Sequence, residues 1–244
     1  MNRFAKNLVS IKEAAEYIGV SEATLRRWHN DGTFKATFVT PGGHRKYSLS
    51  DLGRKTKGIF RVALEWVRDE QPHAPEDDFY CSTSDRFKTR LDRMAHEMDV
   101  IPSLQHTASF ISSAAGEIGN NSFDHNLGIW PDIRGTYFAY DLGKRVVVLA
   151  DRGVGVLATL RRIRPSLKTD EEALRVAFTE ILTGRAPEHR GNGLKYVKDA
   201  LTKSGADLSF QSGDSVLEIR KGTSGFNMKK ADVPIRGSLA LIEY

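Results

Sequence analysis

The chain has 244 residues, 40% hydrophobic and 27% charged, which is enough for a small and a large folded unit and too apolar for a disordered chain. No apolar run approaches the ~20 residues of a membrane-spanning helix, no secretory leader pattern opens the sequence, and the single cysteine, Cys81, excludes an intrachain disulfide and points to a cytoplasmic location. The net charge of +5 is concentrated: residues 1–60 hold eleven Lys and Arg against five acids, the remainder sits at −1, and a polyanion partner is expected at the N-terminal end.

In chain order, Ile11, Ala14, Ala15 and Ile18 repeat at helical spacing behind a Ser10–Glu13 capping pattern, and Gly19 is a stop. A second helix is expected from Ser21 to about Asn30, with Leu25 and Trp28 inward. Thr37–Val39, the turn Thr40-Pro41-Gly42-Gly43 and His44-Arg45-Lys46-Tyr47 predict a hairpin. Ser50-Asp51-Leu52 opens a further helix running through residues 59–70. Its stripe of Ile59, Val62, Ala63, Trp66 and Val67 fits either a dimer seam or a seat on the chain's own body.

Proline-rich, acidic Pro72–Asp78 is the linker candidate, and helices follow from about Phe79 and from Ser103 to Asn126. Strands are expected at Gly135–Asp141 and Arg145–Ala150, helices at Val154–Ile163, Asp170–Leu182 and Leu194–Lys203. Three strands, ADLSFQS, VLEIRK and GSLALIEY, are expected at the end.

Two short helices with a tight turn and a hairpin make a winged helix-turn-helix, whose second helix can enter the major groove of double-stranded DNA. Arg26 and Arg27 lie opposite Leu25 and Trp28, where phosphates or base edges are in reach; His44, Arg45, Lys46 and Tyr47 on the wing suit phosphate contacts. IKEAAEYIGVSEATLRRWHNDG followed by TPGGHRKYSLSDL resembles the MerR/excisionase type of DNA-binding domain over residues 8–53. That resemblance implies a DNA partner, bound as a homodimer or with a companion protein.

Three short motifs form an ordered set further on. Glu117 and Asn121 share a helical face, with His125 one step of four beyond. An amide oxygen there can ligate a phosphate-bridging magnesium ion, a carboxylate one turn earlier can activate a water, and His125 can meet phosphates. Asp151-Arg152-Gly153-Val154-Gly155 follows an apolar strand, where a carboxylate can accept an adenine amino proton and glycines permit close approach. Arg190-Gly191-Asn192-Gly193 opens a helix, a position attractive to phosphates.

Together, over residues 100–244, these motifs resemble the nucleotide-binding fold shared by DNA gyrase, heat-shock chaperone, histidine kinase and MutL proteins (the GHKL group), closest to anti-sigma serine kinases and stand-alone ATP-binding regulators. The resemblance implies ATP and Mg2+ as cofactors. Glu117 would be the base, Asn121 the metal ligand, and Asp151 the adenine contact supported by Ser238. Gly153, Gly155, Gly191 and Gly193 would shape the pocket. The segment from Thr183 to Asn192 would be a lid, with Arg185, His189 and Arg190 toward the phosphates. His96 reads as a helix-surface residue rather than a phosphoacceptor, because too few residues separate it from Glu117 for a helical hairpin. A gyrase or MutL-type motor is not expected, since no transducer domain follows residue 244.

The expected class is therefore α+β, a winged helix-turn-helix plus an α/β-sandwich ATPase domain whose mixed sheet carries helices on one face. Its divisions are 1–71 for the DNA-binding part, 72–102 for the connection and 103–244 for the ATP-binding domain. Two functions fit: a DNA-binding regulator coupled to ATP occupancy, and an ATPase or protein serine kinase acting on a partner protein in an antitoxin-like or defence system, with the DNA-binding part autoregulating.

Overall fold

The computed structural model describes residues 8–18, 20–32, 34–75, 77–180, 193–223 and 225–244. The chain begins with strand β1 (Leu8–Ser10) and helices α1 (Ile11–Ile18) and α2 (Glu22–Asp31). Ser21 caps α2 by accepting from Thr24 N, and Gly32 ends it at φ +83°, a left-handed position that glycine fills without strain. The wing is β2 (Phe38–Val39) and β3 (Arg45–Ser48), and β3 also pairs with β1, giving a three-stranded antiparallel sheet. Ser48 then accepts from Asp51 N at 3.1 Å and starts α3 (Leu49–Arg68).

The body follows: β4 (Tyr80–Cys81), α4 (Ser84–Asp99), α5 (Gln105–Asn126), β5 (Thr136–Asp141), β6 (Val146–Asp151), α6 (Gly155–Arg161), α7 (Asp170–Thr179), α8 (Gly193–Ser204), β7 (Asp207–Ser212), β8 (Ser215–Ile219), β9 (Asn227–Lys230) and β10 (Ser238–Glu243). Among the described residues its strands form one seven-stranded sheet in the order β4-β5-β6-β10-β7-β8-β9. Every pairing in it is antiparallel, so the sheet is not the mixed one expected.

Nor is the sheet covered on one face only. Phe138, Tyr140, Val147, Leu149, Ala240 and Ile242 face a core shared with α4, α5 and α8. Their strand neighbours Tyr137, Ala139, Val148, Ala150 and Leu239 face a second core with Ile59, Ala63, Trp66 and Val67 of α3. The apolar stripe of α3 is thus seated on the chain's own sheet. Tyr137 fixes the seat by donating its hydroxyl hydrogen to Ile59 O at 2.9 Å.

The helix-turn-helix is joined to the same core. Trp28 stacks on Phe79 with centroids 6.0 Å apart, and Phe79 on Tyr137 at 5.5 Å. The segment read as a linker is held at both ends: Trp66 Nε1 donates to His73 O at 3.0 Å, and Asp78 Oδ2 accepts from Ser21 N at 3.2 Å and from the Thr24 hydroxyl. Asp78 therefore sits at the N-terminus of α2, where the helix dipole favours a carboxylate.

Trp28 is 2% exposed, and truncating it should be costly. Trp28→Ala is expected to lower stability by about 3–5 kcal/mol, the usual cost of removing a buried aromatic. A guanidinium denaturation midpoint would report it.

On the opposite face, α5 approaches α4 closely because it carries small residues there. A Cβ on Gly119 would stand 2.1 Å from Phe87 Cζ, so a larger residue would push the two helices apart.

Candidate functional site

Asp151 is the last residue of β6 and is 4% exposed. Its side chain shares the α5 face of the sheet, where Ser122 donates to Oδ2 at 2.8 Å. Ser238, its register partner on β10, donates to the same oxygen at 2.5 Å, and Gly153 N donates to Oδ1 at 2.8 Å. Burial pushes this carboxyl above the usual carboxylate range, against the pull of those hydrogen bonds.

The strand ends around Asp151 require glycine. Gly237 has φ +72°, and a Cβ there would lie 2.1 Å from Asp151 O. A Cβ on Gly153 would collide with the Asn126 amide at 2.1 Å. Asn126 closes α5 by donating to Ser122 O and accepting from Val154 N, both at 2.8 Å. Gly155 has φ +80° and sits against Ser212, whose hydroxyl accepts from Val156 N at 3.0 Å and donates to Gly237 O at 3.1 Å.

Asn121 and Glu117 lie more than one and more than two turns back along α5 from Asn126, both half-buried. They meet the start of α8: a Cβ on Gly193 would stand 2.9 Å from Glu117 Oε2 and 3.1 Å from Asn121 Nδ2. The absence of a side chain at Gly193 thus leaves a cradle between the α8 N-terminus and an acid–amide pair. From Glu117 to Asn126 the helix rises about 14 Å at 1.5 Å per residue, so the length of α5 spans both groups.

His125 is exposed on α5, one step of four beyond Asn121. Arg190 and Gly191, with the remainder of the expected lid (Thr183–Asn192, including Arg185 and His189), lie outside the described residues. Ser122 and Asn126, a step of four apart on α5, escaped sequence reasoning, although they carry the polar groups that a buried carboxylate and a loop N–H require. Among the described residues no group of three or more His, Cys, Asp or Glu can hold a metal alone. A magnesium ion at Asn121 would need ligand oxygens to complete its shell.

A second site lies on the wing. A cleft between the hairpin and α2 is lined by Ser10, Arg26, His44, Arg45 and Lys46. Arg26 is about half exposed and pairs with Glu22 at 2.5 Å, an exposed i,i+4 pair of little stabilising weight. Arg27 and His44 are exposed, and Arg45 Nη2 donates to Asn30 Oδ1 at 3.1 Å, linking wing to helix.

Tyr47 is placed differently from the expectation. It is fully buried, stacks on Phe34 at 5.5 Å and donates its hydroxyl to Leu25 O at 3.4 Å. Strand alternation turns Tyr47 inward beside Val9, while Lys46 takes the opposite face. Phe38 and Val39, 51% and 41% exposed, are wing surface that sequence reasoning left unassigned.

Residues 8–54 match the family model of a helix-turn-helix domain. No curated protein matches the chain. The protein therefore carries an N-terminal helix-turn-helix, whose kind suggests a DNA-binding regulator, on an α+β body built around a large antiparallel sheet. Among the described residues no helix is long and apolar enough to cross a membrane.

Proposed function

We propose that the protein is a cytoplasmic DNA-binding regulator whose body holds ATP and magnesium along α5, and whose grip on DNA depends on that occupancy. One observation supports the nucleotide half of this reading: α5 carries Ser122 and Asn126, which hold the Asp151–Val154 strand end, and also Glu117 and Asn121 of the cradle at Gly193. The donor set fits the group. Asp151 offers a buried acceptor for an exocyclic amine, and Gly193, without a side chain, lets the N-terminus of α8 meet the Glu117–Asn121 pair directly. When bound, magnesium and the triphosphate supply the charge that distinguishes a filled from an empty pocket. Asn121 would hold the metal, Asp151 would accept from the base, and the α8 N-terminus would donate to the phosphates.

The DNA half is supported by the helix-turn-helix match and the cationic cleft between wing and α2. Lys46→Ala should weaken binding about equally across duplex sequences and reduce the slope of log affinity against log salt by about 1, as loss of one phosphate contact does. Anisotropy titrations at several salt concentrations check this.

Glu117 beside the cradle favours a second reading, in which the bound triphosphate is turned over and DNA binding serves autoregulation. Selection of a site from random-sequence duplex, then affinity with and without ATP and magnesium, tests the first. A change of fivefold or more is expected, within the usual range of allosteric coupling. Equal affinities would remove the coupling, and release of labelled phosphate would then favour the second reading.

A further inference from the structure

The residue between Asp151 and Gly153 serves the opposite side of the sheet. Arg152 is 2% exposed. Its Nε donates to Asp132 at 3.2 Å, and its Nη2 donates to Asp132 Oδ2 and to Asp69 O, each at 2.9 Å. Its Nη1 donates to Trp66 O. The carbonyls of residues 66 and 69 belong to the last turn of α3 and to its cap, which lack partners within the helix. A cation there is also favoured by the helix dipole.

The other strand end does the same. Arg236, the residue before Gly237, donates Nη1 to Asp132 Oδ2 at 2.9 Å, and its backbone N to Val67 O at 3.4 Å. Burial tends to raise the Asp132 carboxyl, yet bonds from Arg152 and from Ile133 N leave it below its usual value. Residues 151–153 and 236–238 thus hold the pocket carboxylate with one set of groups and the end of α3 with the next. At its other end α3 is capped by Ser48, the last residue of wing strand β3. The helix has 20 residues, about 30 Å at 1.5 Å per residue, so a single rod joins pocket loops to wing.

We propose that Arg152, with Asp132 and Arg236, is the joint through which the state of the Asp151 pocket sets the seat of α3 and the position of the wing. The inference rests on the nucleotide reading above and names its route. The guanidinium is planar and its donors are fixed relative to one another, so a shift of the Asp151–Gly153 backbone is passed to two α3 carbonyls and to Asp132 together. Arg152 and Arg236 are positioning residues; neither needs to touch the nucleotide.

Hydrogen exchange of the full chain, with and without ATP and magnesium, tests the route in wild type, Arg236→Gln and Arg152→Lys. Arg236 is about half exposed, so its variant preserves the fold, while Arg152→Lys keeps the charge and removes the fork. In wild type, nucleotide should slow exchange at least fivefold both in residues 151–156 and in the wing, residues 37–48. In the variants the pocket response should remain and the wing response should fall below twofold. A wing response undiminished in both variants overturns the joint, as does a wild type whose pocket responds and whose wing does not. A wild-type pocket with no response overturns the nucleotide reading itself, and the joint with it.

Discussion

Asp151→Asn should leave the protein at least as stable as wild type while weakening ATP binding by roughly a hundredfold or more, the scale on which a buried site rejects a mismatched hydrogen-bonding group. The amide is isosteric with the carboxylate. Its oxygen can still accept from Gly153 N, and its NH2 then faces Ser122 and Ser238, whose hydroxyls can turn to accept. An incoming amine would meet a donor where it needs an acceptor.

Stability moves the other way because Asp151 is a buried carboxylate whose pKa is raised by burial. A raised folded pKa means that the group's favourable contribution is complete below its unfolded value, about 3.9, and is lost as pH rises through the folded value. At neutral pH the ionised form opposes folding. The variant's melting temperature should therefore equal or exceed that of wild type at neutral pH, and the difference should shrink toward acid. Thermal melts across pH, paired with titration of a fluorescent ATP analogue, separate the two effects. A variant that binds as wild type does would remove Asp151 from the pocket.

Gly237→Ala should be the most damaging small substitution in this region. The position has φ +72° and no room, since a Cβ would stand 2.1 Å from Asp151 O and 2.6 Å from its Oδ1. Strained backbone and overpacking each cost roughly 1–3 kcal/mol, and the second contact cannot relax without moving the strand end that holds Asp151. A loss of about 3–5 kcal/mol is expected, roughly 10 °C in melting temperature for a chain of this size. Nucleotide binding should fall with it. Gly222→Ala is the matched control: φ is +76°, but nothing lies within 4 Å of a Cβ there. It should cost about 1 kcal/mol from backbone strain alone and leave binding unchanged. Equal melting temperatures for the two variants would show that crowding at Asp151 contributes nothing.

Much of the helix-turn-helix was legible because its signals are local: the cap at Ser21, apolar spacing through Leu25 and Trp28, and glycines in the wing turn; the cap of the next helix is Ser48, two residues before the expected Ser50. Tyr47 was misassigned because a short basic run hides strand alternation, which sends Lys46 and Tyr47 to opposite faces. The main strands of the sheet were legible, but its second covered face was not, for a related reason. All six residues of β5 are buried, with Tyr137 and Phe138 in different cores, so the polar–apolar alternation that marks a one-sided strand is absent. The two-residue strands β2 and β4 are too short for any period.

The pairing of Ser238 with Asp151 was implied by the resemblance of the last strand, whereas Ser122 and Asn126 needed the register between α5 and the strand ends. Arg152 looked like a spacer between an aspartate and a glycine; its role depends on where α3 ends. That is long-range information, which periodicity does not carry.

Titration calorimetry of the full chain with ATP and magnesium is the shortest test of whether the body binds ATP. Saturable binding at one site per chain is expected, reduced when magnesium is withheld. A folded protein that gives no binding over the millimolar range would contradict it, leaving a DNA-binding protein whose Asp151 clamp only holds its own strands together.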